Sequence, residues 1–277
     1  MPAHLGSLIQ GFESLWPTRN TEDWDVVGLV SGDKKQQVSK VLLTVDVTTE
    51  VVEHAIEIGA DLILAHHPFL LKPVNSIAED TSKGNVLNSL VKSGIALYSA
   101  HTNADAVPTG TSAVLAKAIG LHDSAPLHAF EDEVHGIGRI GKLSKPVKLG
   151  DLAAVLNSVL PPTATGVRVA GDFEREIQNI ALCAGAGDSY LGFALERGAE
   201  VYITSDLRHH PAQEILELAK ARHVPFALID ISHWAAEYLW LEQARNELVA
   251  LFPEVSVELC EIRTDVFDFL MNAPKSS

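Results

Sequence analysis

The chain alternates short, continuous apolar runs with stretches of helical spacing, and this order occurs twice. Residues 41–46, 62–65 and 95–99 read as buried strands, being short, apolar and rich in β-branched or aromatic side chains. Residues 50–58 and 85–92 between them carry apolar positions at helical spacing. The second series repeats the pattern, with strands over 180–183, 201–204 and 226–231 and helices over 189–196, 211–221 and 234–249. Pro211 sits in the first turn of its helix, where a missing N–H costs nothing. Strands that alternate with helices predict an α/β fold, a mainly parallel sheet with helices on its faces.

Both series place histidines where a strand ends. Gly59-Ala60-Asp61 and residues 62–65 run into His66-His67-Pro68, while Gly198-Ala199-Glu200 and residues 201–204 run, after a short insertion, into His209-His210-Pro211. Each series then ends in a histidine four residues before a carboxylate, His101 with Asp105 and His233 with Glu237. Successive strand side chains point to opposite faces, so His66 and His67 can share a site only where the backbone leaves the ladder. Pro68 forces that departure. In open α/β sheets the carboxyl ends of the strands form the ligand crevice. Imidazole and carboxylate there suit Zn, Mn, Fe, Co or Ni, whereas two capping histidines bonded to loop carbonyls are the plain alternative. The repeat of the motif favours metal.

Ser232 is a good N-cap, which puts His233 in the first helical turn with Glu237 one turn further along the same face. The positive helix end favours neutral imidazole, the ligating form. A solvated surface pair is the other reading of that spacing. His101-Thr102-Asn103-Ala104-Asp105 is expected in a loop after a buried strand, as site residues or as turn chemistry.

Bulk properties bound the function. The chain has 277 residues, 47% hydrophobic and 21% charged, the balance of an ordinary globular protein. Its net charge of −15 argues against a broad nucleic-acid-binding face. No run approaches the ~18 apolar residues of a membrane span, and Met1-Pro2-Ala3-His4 lacks a basic start with an apolar signal core. Cys183 and Cys260 form no metal-spaced pair or disulfide framework. A cytoplasmic protein is expected. The polar segment 122–135 marks the join between a first half, 1–125, and a second, 126–277, with an edge strand over 255–262 and a disordered tail from 272.

Two glycine motifs read differently. Gly136-Ile137-Gly138-Arg139-Ile140-Gly141 has the G-x-G-x-x-G spacing but runs into strand and turn residues, not a helix, so a dinucleotide site is not expected. Gly185-Ala186-Gly187-Asp188-Ser189 lies between a strand and a helix and reads as an anion-holding loop or a tight turn. Cys183 reads as a core residue.

Together these motifs resemble one family, the Nif-three-like dinuclear metal-centre proteins, often called GTP cyclohydrolase I type 2 homologues. The resemblance spans nearly the whole chain and rests on Trp24 to Leu29, His66 to Phe69, His101 to Asp105, Gly136 to Leu143, Gly185 to Ser189, Thr204 to Asp206 and Ser232 to Glu237. It implies two divalent metal ions per subunit held by His66, His67, Asp105, His233 and Glu237. It implies two similar, interlinked α/β domains from an internal duplication, the C-terminal segment packing on the first, with the metal site in the cleft between them. It also implies a homohexamer. Val26 stands where the family usually has Asn, and Ser205 where it usually has Gly. A metal pair lowers the pKa of a shared water, which suits a hydrolase acting on a nucleotide or related small molecule. His101 or His210 is then the expected proton shuttle. A non-catalytic metal-storage, metal-delivery or adaptor protein using the same site is the alternative.

Overall fold

The structure is a computed structural model that describes residues 2–271, so the tail expected to be disordered lies outside the described residues. Two compact units make up the chain, residues 1–110 with 240–264 and residues 111–239 with 265–277.

In the first unit five strands form one sheet in the order Ser256–Leu259, Lys40–Thr44, Leu62–Ala65, Ala96–Ser99, Gly28–Ser31. The first four run parallel and Gly28–Ser31 closes the sheet antiparallel. Register puts Leu42, Ile63 and Leu97 side by side, and Leu43, Leu64 and Tyr98 beside them on the opposite face. The first row packs with Val51, Val52 and Ala55 of helix Thr49–Glu57 and Val86, Leu87 and Leu90 of helix Ser82–Ser93. Full burial of each such side chain stabilises by about 1.5–3 kcal/mol. Thr48 and Thr81 cap the two helices, their hydroxyls accepting from Val51 N–H (3.3 Å) and Gly84 N–H (3.0 Å). Tyr98 also meets Phe12 at a tilt in a buried aromatic chain that continues through Trp16 to Trp240. The expected edge strand is present and short; its Glu258 pairs with Lys40 at 2.9 Å.

The second unit has a six-stranded mixed sheet, ordered Arg168–Ala170, Ala227–Ile231, Val201–Ser205, Glu176–Ala186, Arg139–Lys148, His122–Ala125. The three strands around Val201–Ser205 are parallel and the flanking ones antiparallel. Its core joins Ile180, Leu182, Val201, Ile203, Ile229 and Leu152. Leu115, Ala116, Ile119 and Leu121, which the sequence assigns to the first half, pack in this core as well. The segment from Gly136 to Gly141 forms strand Gly136–Ile137, a bend at Gly138 and the start of strand Arg139–Lys148, with no helix opening at the glycines.

One consequence matters for the site. The carboxyl ends of the parallel strands carry His66 after Ala65, Asp46 after Thr44 and His101 after Ser99 in the first unit. In the second unit they carry Asp206 after Ser205 and His233 after Ile231. No helix among the described residues is long and apolar enough to cross a membrane.

Candidate metal centre

Backbone bonds continue past the formal end of strand Leu62–Ala65. His66 N–H donates to Thr44 O and His67 N–H to Val45 O, both at 2.9 Å, so the two histidines stay anchored to the neighbouring strand. His66 Nδ1 then lies 2.9 Å from Ala100 O. A carbonyl only accepts, so Nδ1 carries a proton, and in the neutral form of the ring Nε2 is the accepting nitrogen. His67 Nδ1 is 2.7 Å from Asp46 Oδ1, and Asp46 Oδ2 in turn accepts from Thr264 Oγ1 at 2.6 Å. His101 Nδ1 is 2.9 Å from Asp25 Oδ1. One ligand atom from each of His66, His67 and His101 falls within 4.8 Å of the others. Asp105 Oδ1 stands 3.7 Å from His66 Nε2. His66 and His67, each steered through Nδ1 by an acceptor, with the Asp105 carboxylate alongside, form donors that suit a divalent transition metal, and His101 stands against them.

Asp25 also accepts from Thr102 N–H (3.1 Å) and Thr102 Oγ1 (2.6 Å). Burial pushes its pKa up, but the His101 bond and charge and the two Thr102 donors outweigh that and hold it at about 2. Residues 102–105 form a short helix, Thr102–Asp105, rather than the expected loop. That turn brings Asp105 back toward His66.

In the second unit His233 opens helix His233–Leu251 and Ser232 Oγ caps it by accepting from Ala235 N–H at 3.2 Å, as the sequence predicts. His233 Nδ1 lies 2.7 Å from Asp206 Oδ2 and its Nε2 2.9 Å from Glu237 Oε1. Burial pushes the imidazolium pKa down, while the Glu237 charge and the Asp206 bond outweigh it and raise it well above 6.5. Gly185 makes room for this pair. Its φ is +82°, and a Cβ there would lie 2.5 Å from Glu237 Oε1 and 3.5 Å from His233 Nε2. The Gly185 to Ser189 loop is thus shaped by close approach to the carboxylate, with Thr204 Oγ1 donating to Gly185 O at 3.0 Å.

His209 and His210 behave differently. Both are exposed in the first turn of helix His209–Ala221, their rings 5.2 Å apart, and neither joins a metal-capable group among the described residues. Ser205 is fully buried in its strand, whereas Val26 is 54% exposed. Cys183 is buried in the core. Asp25 and Asp206 lie within the Trp24 to Leu29 and Thr204 to Asp206 motifs, but nothing local marks them or Asp46 as partners of the rings. Two of them, Asp46 and Asp206, stand just past a buried strand, which is the one local signal they offer.

Fold and donors together define an α/β protein with strand-end imidazole and carboxylate sets suited to divalent metal. The family profile Duf34/NIF3 (NGG1p interacting factor 3) matches residues 3–266, and the chain belongs to that family. The GTP cyclohydrolase 1 type 2 homolog of Streptomyces coelicolor is 41% identical over 247 residues, covering 88% of this chain and 85% of that protein. The protein of the same name from Clostridium perfringens is 34% identical and covers 96% and 99%. Among solved structures, Staphylococcus aureus hypothetical protein SA1388 superposes with a TM-score of 0.87 at 28% identity, covering 98% of this chain and all (100%) of that one.

Proposed function

We propose that this chain is a dinuclear-metal-dependent hydrolase acting on a nucleotide or related small molecule, with ring opening of the GTP cyclohydrolase type the first reaction to test. The observation that carries this reading is the common steering of His66, His67 and His233, each with Nδ1 held against a carbonyl or carboxylate, the kind of second contact that orients a ligating imidazole. In this reading His66, His67 and Asp105 from the first unit and His233 and Glu237 from the second hold two divalent ions. His233 and Glu237 by themselves supply two donors, short of the four of a closed zinc site. The reading therefore joins both sets in one centre, in a cleft between two halves of duplicated origin. Zn, Fe, Mn, Co and Ni all suit these ligands. Bound there, such ions supply Lewis acidity and lower the pKa of a coordinated water toward neutrality.

The chain's own residues do the rest. Asp46 and Asp206 hold the ligand rings in one tautomer. His101, tied to Asp25 at 2.9 Å, is the proton carrier in this reading; exposed His210 is the weaker choice. An acid–base group beside the ligands favours catalysis over metal storage or delivery. The names of the Streptomyces and Clostridium relatives lend the ring-opening reaction its place at the head of the assays. A homohexamer, carried over from the family resemblance, is checked by analytical ultracentrifugation.

The test is formate release from GTP and hydrolysis of a nucleotide panel by metal-loaded protein, beside His66→Ala and Glu237→Ala. Turnover lost in both variants is expected. Two bound metals with no turnover on any nucleotide would replace the hydrolase by a metal-handling protein.

A further inference from the structure

The first unit carries one exposed indole, and it stands against the imidazole cluster. Trp24 is 59% exposed, while Trp16 and Trp240 are fully buried and Trp234 is 8% exposed. The Trp24 ring meets the His101 ring edge to face, with centroids 5.8 Å apart and planes at 81°. His101 lies in turn 5.2 Å from the His66 ring and 5.4 Å from the His67 ring.

The backbone around Trp24 is tied to the segment that carries the site. Trp24 sits in a turn closed by Asp25 N–H donating to Glu22 O at 2.9 Å. Glu22 N–H donates to Thr102 Oγ1 at 3.0 Å, and the Asp25 carboxylate accepts from Thr102 and contacts His101. The residues on both sides of the indole are thus bonded to the segment that carries the site, which fixes the backbone from which the ring meets His101. Val26, 54% exposed, extends the apolar surface. Glu22, Asp23 and Asp25 make the same turn acidic, which disfavours a phosphate-binding role for it.

We propose that Trp24 is the stacking platform for a planar heteroaromatic ring of the nucleobase class, laid beside His101 so that the ring edge reaches the imidazole cluster. Aromatic faces accept any base by stacking, and an indole offers the largest such face. This inference rests on the hydrolase reading for its reacting partner, and names the part of the substrate that this end of the site reads.

The test uses the full chain, with guanosine, GTP and ribose 5-phosphate as probes. Guanosine and GTP are expected to quench tryptophan fluorescence, while ribose 5-phosphate, which has no ring, leaves it unchanged. By isothermal titration Trp24→Ala weakens both guanosine and GTP by at least about five-fold, the low end for one lost stacking contact, and Trp24→Phe stays within about two-fold of wild type. Metal content, measured on the same samples, stays level in both variants. Equal affinity of wild type and Trp24→Ala for guanosine and GTP would overturn the proposal. So would a Trp24 shielded from acrylamide quenching in the wild-type protein, because a partner surface then covers the indole. Ring binding that depends on Trp24 in a protein that holds no metal would leave this inference standing and remove the hydrolase reading.

Discussion

Replacing Gly185 by alanine separates a ligand-positioning role from ordinary backbone strain. Gly185 has φ +82°, and the added Cβ would stand 2.5 Å from Glu237 Oε1. Ordinary contact begins at 3.4 Å, so the carboxylate oxygen must withdraw by about 0.9 Å. Metal–ligand distances tolerate about 0.2 Å. Glu237 cannot swing aside cheaply, being 2% exposed and held by His233 at 2.9 Å. Gly185→Ala is therefore expected to weaken metal binding by at least the ~10–100-fold seen when a ligand's support is lost. Backbone strain at positive φ adds about 1–2 kcal/mol, or a Tm lower by about 2–8 °C in a chain of this size. Gly198→Ala is the control. Its φ is +75° and nothing lies within 4 Å of the new Cβ, so it carries the strain without the clash. Competition with a chelating dye gives the metal affinity, and calorimetry of metal-free protein gives Tm. Equal metal affinity in Gly185→Ala and Gly198→Ala would refute the argument.

Other substitutions probe the supports one at a time. Asp46→Asn and Asp206→Asn remove the charge behind His67 and His233, and each is expected to lower metal affinity by about 10–100-fold in the same competition assay, with the fold intact by circular dichroism. Asp25 has its pKa lowered from 3.8 to about 2, so it contributes stability that is fully present above pH 4 and lost as pH falls through 2. The contribution is about 2 kcal/mol; acid denaturation of metal-free Asp25→Asn should lack it, leaving a shallower loss between pH 4 and 2. His101→Gln should cut turnover by about 10²–10⁴-fold while metal remains bound, whereas His210→Gln should change turnover by less than about two-fold.

Much of this arrangement was legible in the chain itself, for definable reasons. Strands such as Leu62–Ala65 and Val201–Ser205 are continuous apolar runs because they are buried in sheets, and both stand where the pattern predicts. His66, His67 and His233 were legible because each follows such a run at a strand's carboxyl end. The second paired motif misled in its detail. After the insertion 205–208 the chain has already turned, so His209 and His210 open a helix on its exposed side instead of ending a strand as His66 and His67 do. The acids behind the rings were not legible, since Asp46 and Asp206 lie 21 and 27 residues from the histidines they hold, and no local period links them. The family resemblance, and no local period, is what places the C-terminal segment on the first half. Trp240, inside helix His233–Leu251, packs with Phe12, Trp16 and Tyr98 of the first unit.

Elemental analysis of natively purified protein, beside His66→Ala and Glu237→Ala, tests the central claim most directly. A dinuclear centre requires about two divalent transition-metal ions per chain in the wild type and fewer in each variant. A wild-type chain that holds no metal after gentle purification and reconstitution with Zn, Mn, Fe, Co or Ni would contradict it.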